Sequence, residues 1–199
     1  MSVEPMRHAA NNPFRTSRVE SVAWHPYPDE VTSIYFRWMK SKWRGQVVGH
    51  HGAGKTTLCQ HLITLAEADG LSVRSLFANR QCTSLTLAPW REAAARPSSE
   101  TLLVRDGIGH VPGRIQKRLL RNTPRLLSAC HEPLADIPII ARLQSNLPLL
   151  QTLTREMSGD EGLRLLGTDG GAALLQSCNG NLREVFRRLY HLWLENGCI

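Results

Sequence analysis

Hydrophobic residues recur along the chain in two periods, one typical of strands and the other typical of helices. Short apolar or alternating runs predict strands at residues 46–48, 71–77, 101–104, 124–130 and 137–140. Among these strands, apolar positions spaced three and four residues apart predict helices that begin near residues 29, 55, 90 and 113. Strands that alternate with helices form parallel sheets covered on both faces, so the predicted fold class is α/β with a mostly parallel sheet.

Beyond residue 146 the pattern predicts helices alone, at residues 147–157, 160–166, 170–178 and 181–195. In the last helix, Leu182, Val185, Phe186 and Leu189 lie on one face at helical spacing. The first 28 residues are rich in proline, asparagine and arginine and predict an irregular segment that packs on the core. We therefore expect three parts: the irregular segment at 1–28, a core at 29–156 and a small helical lid subdomain at 157–199.

The composition places the chain among globular proteins, with 199 residues of which 42% are hydrophobic and 21% charged. No apolar run approaches the ~20 residues of a membrane span, and the N-terminus lacks the apolar stretch of a secretory signal. The five cysteines are scattered without a CxxC pair, which argues against a disulfide framework or a tetrahedral zinc site. We expect a cytoplasmic protein with reduced thiols and no membrane contact.

Residues 49–56 read GHHGAGKT and satisfy the pattern GxxxxGK[ST] between a predicted strand and a predicted helix. In this motif the glycines let successive backbone N–H groups point at phosphate oxygens, and the helix N-terminus adds its positive end. The pattern therefore predicts a nucleotide site in which Lys55 reaches the β- and γ-phosphates and the Thr56 hydroxyl binds Mg²⁺. The candidate nucleotide-binding residues are Gly49, His50, His51, Gly52, Ala53, Gly54, Lys55, Thr56 and Thr57. We interpret the two histidines as loop positions rather than as metal ligands or catalytic groups.

A second motif, usually an acid at the end of an apolar strand, is expected to complete the magnesium site. Asp106 follows the apolar run Leu102–Val104 about fifty residues after Lys55. We predict that Asp106 holds Mg²⁺ through a bound water. Arg105 is unusual at this point, because the strand before such an acid is normally buried. We expect it at the end of the strand, facing the nucleotide or solvent.

Two branches of phosphate-loop proteins remain to be separated. A GTPase can use Asp106 in a DxxG element, but the chain has no NKxD segment to read guanine. The other branch has an extra strand after Asp106 that ends in a polar residue sensing the γ-phosphate. The run at 125–131 fits that strand, with Ser128 or His131 as the sensor.

This order of motifs, followed by helices and the segment Gly180-Asn181-Leu182-Arg183, resembles the AAA+ and STAND ATPases of the P-loop NTPase group. The resemblance covers roughly residues 13–195 and implies an ATP site between a core and a helical lid. It also implies that Arg183, in a GN-x-R helix, contacts the γ-phosphate. Residues 12–14 (NPF) resemble the segment that runs near the adenine in such ATPases. The candidate catalytic residues are Lys55, Asp106, Ser128, His131 and Arg183.

The chain departs from these families at the residues that follow Asp106. AAA+ proteins place a water-activating glutamate directly after the aspartate, and the STAND pattern is DGxDE, whereas this chain reads Asp-Gly-Ile-Gly-His. Glu132 and His110 are substitutes that we do not favour. Loss of such a base typically lowers the rate ~10²–10⁴-fold, so we expect tight Mg·ATP binding with slow or absent turnover. We expect a regulatory or switch ATPase, and the alternatives are a small-molecule kinase or a degenerate ATP-binding interaction domain.

The formal net charge of +7 is concentrated in the first quarter of the chain and in the stretch from Arg105 to Arg125. Within that stretch four cations lie on one face of a predicted helix, because three of them follow the first by three, four and seven residues: Arg114, Lys117, Arg118 and Arg121. This face could supply an arginine to a neighbouring subunit, bind nucleic acid, or remain solvated. An unidentified protein partner is also expected for a switch protein.

Overall fold

The computed structural model describes residues 8–22, 29–79, 81–83 and 85–195. The chain forms two compact units. Of the described residues, those within 29–49 and 54–143 form the sheet unit, and those within 8–22, 50–53 and 144–195 form the helical unit. The middle of the glycine-rich loop therefore groups with the helical unit, while its two ends belong to the sheet unit.

The strands are β1 (Arg44–Gly49), β2 (Ser72–Phe77), β3 (Thr101–Asp106), β4 (Leu126–Cys130) and β5 (Ile139–Leu143). The helices are α1 (Thr16–Ser21), α2 (Val31–Lys40), α3 (Lys55–Ala68), α4 (Ala88–Ala95), α5 (Gly113–Asn122), α6 (Leu147–Leu165), α7 (Ala172–Ser177) and α8 (Leu182–Glu195). Short 3₁₀ turns lie at Ala9–Asn11 and Ile108–His110. Each strand expected from the hydrophobic pattern is present. None of the described helices is long and apolar enough to cross a membrane.

The five strands form one sheet in the order β2-β3-β4-β1-β5, and every neighbouring pair is parallel. This confirms the predicted α/β class with helices on the sheet. The strand that follows Asp106 in the chain, β4, lies between β1 and β3. The carboxyl ends of β1, β4 and β3 therefore meet at one edge, where ligands bind in open α/β sheets.

Helices cover both faces of the sheet. On one face, α4 and α5 contribute Trp90 and Leu119 to a cluster that contains Leu76, Leu103 and Leu126 of three neighbouring strands. On the other face, α2 places the fully buried Trp38 against the backbone of β1. A methyl group on Gly45 of β1 would lie 3.0 Å from the Trp38 ring, so a glycine is required for this close packing. Because both faces are covered, the central strands β1, β3 and β4 are buried almost throughout, whereas the edge strand β2 is mostly accessible.

The expectation that Arg105 faces the nucleotide or solvent is wrong. Arg105 is fully buried within β3, where its Nε and Nη2 donate to Ser128 Oγ on β4 at 3.1 and 2.7 Å. The two residues are in register on neighbouring strands, which brings their side chains together on the same face. Burial lowers the pKa of Arg105 to about 10, and no described residue supplies a partner for its Nη1.

The helical unit has its own apolar core. Leu150 and Met157 of α6 pack in one cluster with Leu182, Val185 and Leu189 of α8. Residue 156, where we expected the core to end, lies inside α6, and the helical unit already begins at Gln144. The physical reason is that apolar residues on both sides of residue 156 share this cluster. Within α6 the chain bends at Gly159, which has non-helical backbone angles.

The described part of the N-terminal segment packs within the helical unit. The ring of Phe14 is stacked on that of Phe186 in α8, with centroids 6.3 Å apart. The buried Asn12 accepts a hydrogen bond from Phe14 N and donates to Tyr190 O, each at 2.9 Å. The segment contains α1 and a 3₁₀ turn, where we expected irregular structure. Residues 1–7 and 23–28 lie outside the described residues.

We expect Ser128→Ala to lower the free energy of unfolding by about 1–3 kcal/mol, because it removes the acceptor of a buried guanidinium. Arg105→Met should change it by less than about 1 kcal/mol, since an apolar side chain of similar length replaces a buried cation. Urea denaturation of the two single variants and of the double variant tests this coupling. An equal cost of Ser128→Ala with and without Arg105 would contradict it.

Candidate functional site

The glycine-rich loop connects the end of β1 to the start of α3. Gly52 and Gly54 have φ angles of +72° and +84°, in the left-handed region that glycine adopts without a steric penalty. α3 has 14 residues and begins directly after Gly54, so its first N–H groups have no acceptor within the helix. A loop of this conformation before a helix N-terminus is suited to an anion.

Lys55, the first residue of α3, is buried to 8% exposure. Its Nζ donates to Gly49 O at 2.7 Å and lies 3.3 Å from His131 Nδ1. These contacts hold the ammonium group at the carboxyl ends of β1 and β4, since Gly49 ends β1 and His131 directly follows β4. An ammonium group has three N–H donors, so Lys55 is suited to bind an anionic oxygen at this edge of the sheet.

Thr56 and Asp106 provide a pair of oxygen ligands at the same edge. Thr56 Oγ1 donates to Asp106 Oδ2 at 2.6 Å, joining the first turn of α3 to the end of β3. Thr56 is exposed and Asp106 is half-buried. Hydroxyl and carboxylate oxygens are the ligands that Mg²⁺ prefers, and an exposed position lets the ion keep several waters. The residues present therefore fit a magnesium ion.

The two candidate sensors occupy different environments. Ser128 is fully buried and accepts two hydrogen bonds from Arg105, as described above. His131 is exposed and lies beside the Lys55 ammonium. This arrangement favours His131 over Ser128 as the polar group nearest to a phosphate bound at Lys55.

Burial also limits the chemistry of the neighbouring thiols. Cys59 of α3 and Cys130 of β4 are almost completely buried. Burial raises the pKa of Cys130 to about 11 and raises the pKa of Cys59 further. Both groups are therefore neutral thiols near pH 7, which makes them poor nucleophiles.

Gly107 connects Asp106 at the end of β3 to the 3₁₀ turn at Ile108–His110. Gly107 has a φ angle of +75°, and a methyl group there would lie 1.7 Å from Ala78 O. Only glycine fits such a position. The 3₁₀ turn that follows exposes His110, and residues 107–111 contain no acid. Glu132 is exposed in the turn after β4.

Within the helical unit, the middle of the glycine-rich loop contacts the turn before α8. A methyl group on Gly52 would lie 2.1 Å from Asn181 Oδ1, and one on Gly180 would lie 3.0 Å from His50 Nε2. Asn181 also caps α8, because its Oδ1 accepts from Glu184 N at 3.3 Å. We predicted neither the approach of Gly52 to Asn181 nor that of Gly180 to His50. The only sequence signal was a glycine in the loop and another in the turn before α8.

Arg183 is the second residue of α8 and is exposed. The helix's other two arginines, Arg187 and Arg188, both pair with Glu184, at 2.7 and 3.6 Å. Among the described residues no carboxylate pairs with Arg183, which lies two positions after the Asn181 that faces Gly52. The predicted role of Arg183 toward phosphate stays a prediction.

Comparison with known proteins adds one finding. No family model matches the chain, and no curated protein matches it. Among solved structures, the chain is similar to NtrX from Brucella abortus in complex with ATP, with a TM-score of 0.56 at 14% sequence identity. The match covers 89% of this chain and 53% of NtrX, so the chain spans about half of that protein's length. At this identity the likeness shows a shared fold and carries no function by itself.

We expect Gly52→Ala to lower the midpoint of thermal unfolding by about 2–8 °C. A left-handed alanine costs about 1–2 kcal/mol, each kcal/mol corresponds to about 2–4 °C at this chain length, and the overlap with Asn181 adds to the loss. The matched control is Gly109→Ala, because a methyl group there meets no atom within 4 Å.

Asn181→Ser keeps a capping oxygen on a shorter side chain, so it should recover part of the loss in the Gly52→Ala background. If Gly52→Ala and Gly109→Ala have the same effect, the contact between the loop and the turn before α8 does not contribute to stability.

Proposed function

We propose that this chain is an Mg·ATP-binding P-loop ATPase of AAA+/STAND-like type that acts as a regulatory or switch protein with slow hydrolysis. The observation that carries the proposal is the position of β4 between β1 and β3. This order brings His131 beside Lys55, while the Thr56–Asp106 hydrogen bond joins α3 to β3. The likeness to NtrX, a protein whose structure contains ATP, supports the choice of nucleotide.

Each residue has a defined task in this proposal. Lys55 donates to the β- and γ-phosphate oxygens and offsets their charge. Thr56 and Asp106 would hold Mg²⁺, the latter through water, and the ion would supply positive charge against the phosphates. The N–H groups of residues 49–57 orient the polyphosphate by hydrogen bonds, as the motif requires. His131 senses the γ-phosphate, whereas Ser128 is assigned to the buried contact with Arg105.

Slow turnover follows from the residues that the site lacks. A general base must lie within hydrogen-bond reach of the attacking water. The turn after Asp106 offers only His110 in place of an acid, and the Cys59 and Cys130 thiols are neutral. A protein that binds ATP and hydrolyses it slowly persists in the ATP state, which suits a switch that reports its state to a protein partner. Arg183 on α8 is the group through which the helical lid responds to the γ-phosphate.

The alternative function is a small-molecule kinase. Kinases transfer the γ-phosphate to an acceptor hydroxyl and need no glutamate that activates water, so the missing acid is also compatible with them. The cations on α5 would then cover the phosphoryl acceptor. Transfer of labelled γ-phosphate from ATP to a set of metabolites, against release as free phosphate, separates the two functions. Absence of ATP binding would favour the third alternative, a degenerate domain that keeps the fold only for protein binding.

We expect Lys55→Ala to weaken ATP binding at least tenfold, because a hydrogen bond to a charged group contributes about 1.5–3 kcal/mol. Isothermal titration calorimetry with Mg·ATP measures this. Lys40→Ala, which removes an exposed lysine at the end of α2, is the matched control and should leave the affinity unchanged. Equal affinities for wild type and Lys55→Ala would contradict the site.

We expect steady-state phosphate release below about 1 s⁻¹ at saturating ATP, since enzymes commonly reach about 10 s⁻¹ and a missing base removes at least two orders of magnitude. Glu132→Gln and His110→Ala should each leave this rate within about twofold. A faster wild-type rate that Glu132→Gln abolishes would identify Glu132 as the base and overturn the slow-turnover proposal.

A further inference from the structure

α5 presents a face that the nucleotide site does not use. On its inner side Leu119 is fully buried. Ile115 and Leu120 pack against the apolar cluster that contains Leu103 and Leu126 of the sheet. On its outer side the exposed side chains are all cationic: Arg114, Lys117, Arg118 and Arg121. We call these four residues the α5 cationic face. They lie within eight consecutive residues, whose seven steps correspond to about 10 Å along the helix axis.

None of the ion pairs among the described residues involves the α5 cationic face. They join Arg37 to Asp29, Arg74 to Glu92, and Arg187 and Arg188 to Glu184. α5 itself contains no acid, so its cations have no opposite charge within the helix.

The α5 cationic face destabilises its own helix. Arg114 and Arg118, and likewise Lys117 and Arg121, are like charges four residues apart, which repel each other. Arg114 also lies in the first turn of α5, where the positive end of the helix dipole disfavours a cation. Arg121, in the last turn, is favoured by the helix dipole. Helix stability therefore does not account for the other three cations, whereas binding to an anionic partner accounts for all four.

α5 is also held firmly in place. Arg44 at the start of β1 donates through its two terminal nitrogens to Thr123 O, at 2.5 Å, and to Leu120 O at the carboxyl end of the helix. Gln116 Nε2 donates to Ile108 O at 2.8 Å and to Val111 O at 2.5 Å, in the turn that follows Asp106. The helix that carries the four cations is thus held at its carboxyl end by Arg44, and Gln116 attaches it to the turn after Asp106.

The composition of the face indicates the kind of partner. The centre of a protein–protein interface is depleted in charge and contains aromatic or apolar anchors, but every exposed side chain of α5 is a cation. Rows of lysine and arginine complement the phosphodiester backbone, which supplies most of the affinity in non-specific nucleic-acid binding. We propose that the α5 cationic face binds the phosphate backbone of nucleic acid without sequence preference. This proposal is independent of the proposed ATPase function.

The test measures fluorescence anisotropy of a labelled mixed-sequence 30-base-pair DNA duplex with the full chain, in the absence of nucleotide and over a series of salt concentrations. A 30-nucleotide single strand of DNA and one of RNA serve as further probes. With two to four phosphates contacted, the slope of log K against log salt should be about −2 to −4.

Two variants of equal charge locate the binding surface. The test variant carries Arg114→Gln, Lys117→Gln, Arg118→Gln and Arg121→Gln, and we expect its affinity to fall at least tenfold with a flatter salt slope. The control variant carries four exposed substitutions elsewhere, Arg18→Gln, Lys40→Gln, Arg155→Gln and Arg164→Gln, and should stay within about threefold of wild type. Circular dichroism with thermal unfolding checks that both variants are folded.

Three results would overturn the proposal. The first is that none of the three probes binds to wild type. The second is that both variants lose affinity equally, which would make the binding a property of net charge alone. The third is that polyglutamate displaces the DNA as well as unlabelled DNA does, which would point to an acidic protein partner. Because ATP is absent throughout, failure here leaves the nucleotide site unaffected.

Discussion

The hydrogen bond between Thr56 and Asp106 is the contact on which the rest of the site depends. It joins the first turn of α3 to the end of β3, two strands away from β1, which leads into that helix. In this sheet β4 lies between β1 and β3, and all three strands are parallel. The same arrangement places His131, directly after β4, beside Lys55. One sheet order thus assembles a cation, a hydroxyl, a carboxylate and an imidazole at one edge.

A row of buried polar residues lies beneath this edge and connects the same three strands. Arg105 of β3 and Gln46 of β1 are both in register with Ser128 of β4. Arg105 bonds to Ser128, and Gln46 Nε2 donates to Leu134 O and Ile137 O, in the connection between β4 and β5. Arg105 Nη1 has no partner among the described residues, but the hydrogen bonds of Arg105, Ser128 and Gln46 still favour one alignment of the strands over its alternatives. We infer that this row helps to fix the register of the strands that carry Lys55, His131 and Asp106.

The sequence was sufficient for features that are local in the chain. Lys55, Thr56 and their glycines follow a motif of eight consecutive residues, and Asp106 follows an apolar run, so their elements were predictable. Contacts between distant segments were not, because no local pattern encodes them. The hydrogen bonds of Arg105 to Ser128, and the approach of Asn181 to Gly52, depend on how strands and helices pack. The same holds for Phe14 on Phe186, which attaches the N-terminal segment to α8.

The central claim is that Lys55, Thr56 and Asp106 form a single site for Mg²⁺ and the phosphates of ATP. Calorimetric titration of ATP at increasing Mg²⁺, in wild type and in Asp106→Asn, tests it most directly, because the variant keeps the size of the side chain and removes its charge. We predict that Mg²⁺ strengthens ATP binding about tenfold or more in wild type, which corresponds to about 1.4 kcal/mol, and much less in Asp106→Asn. The same Mg²⁺ effect in both proteins would contradict the account.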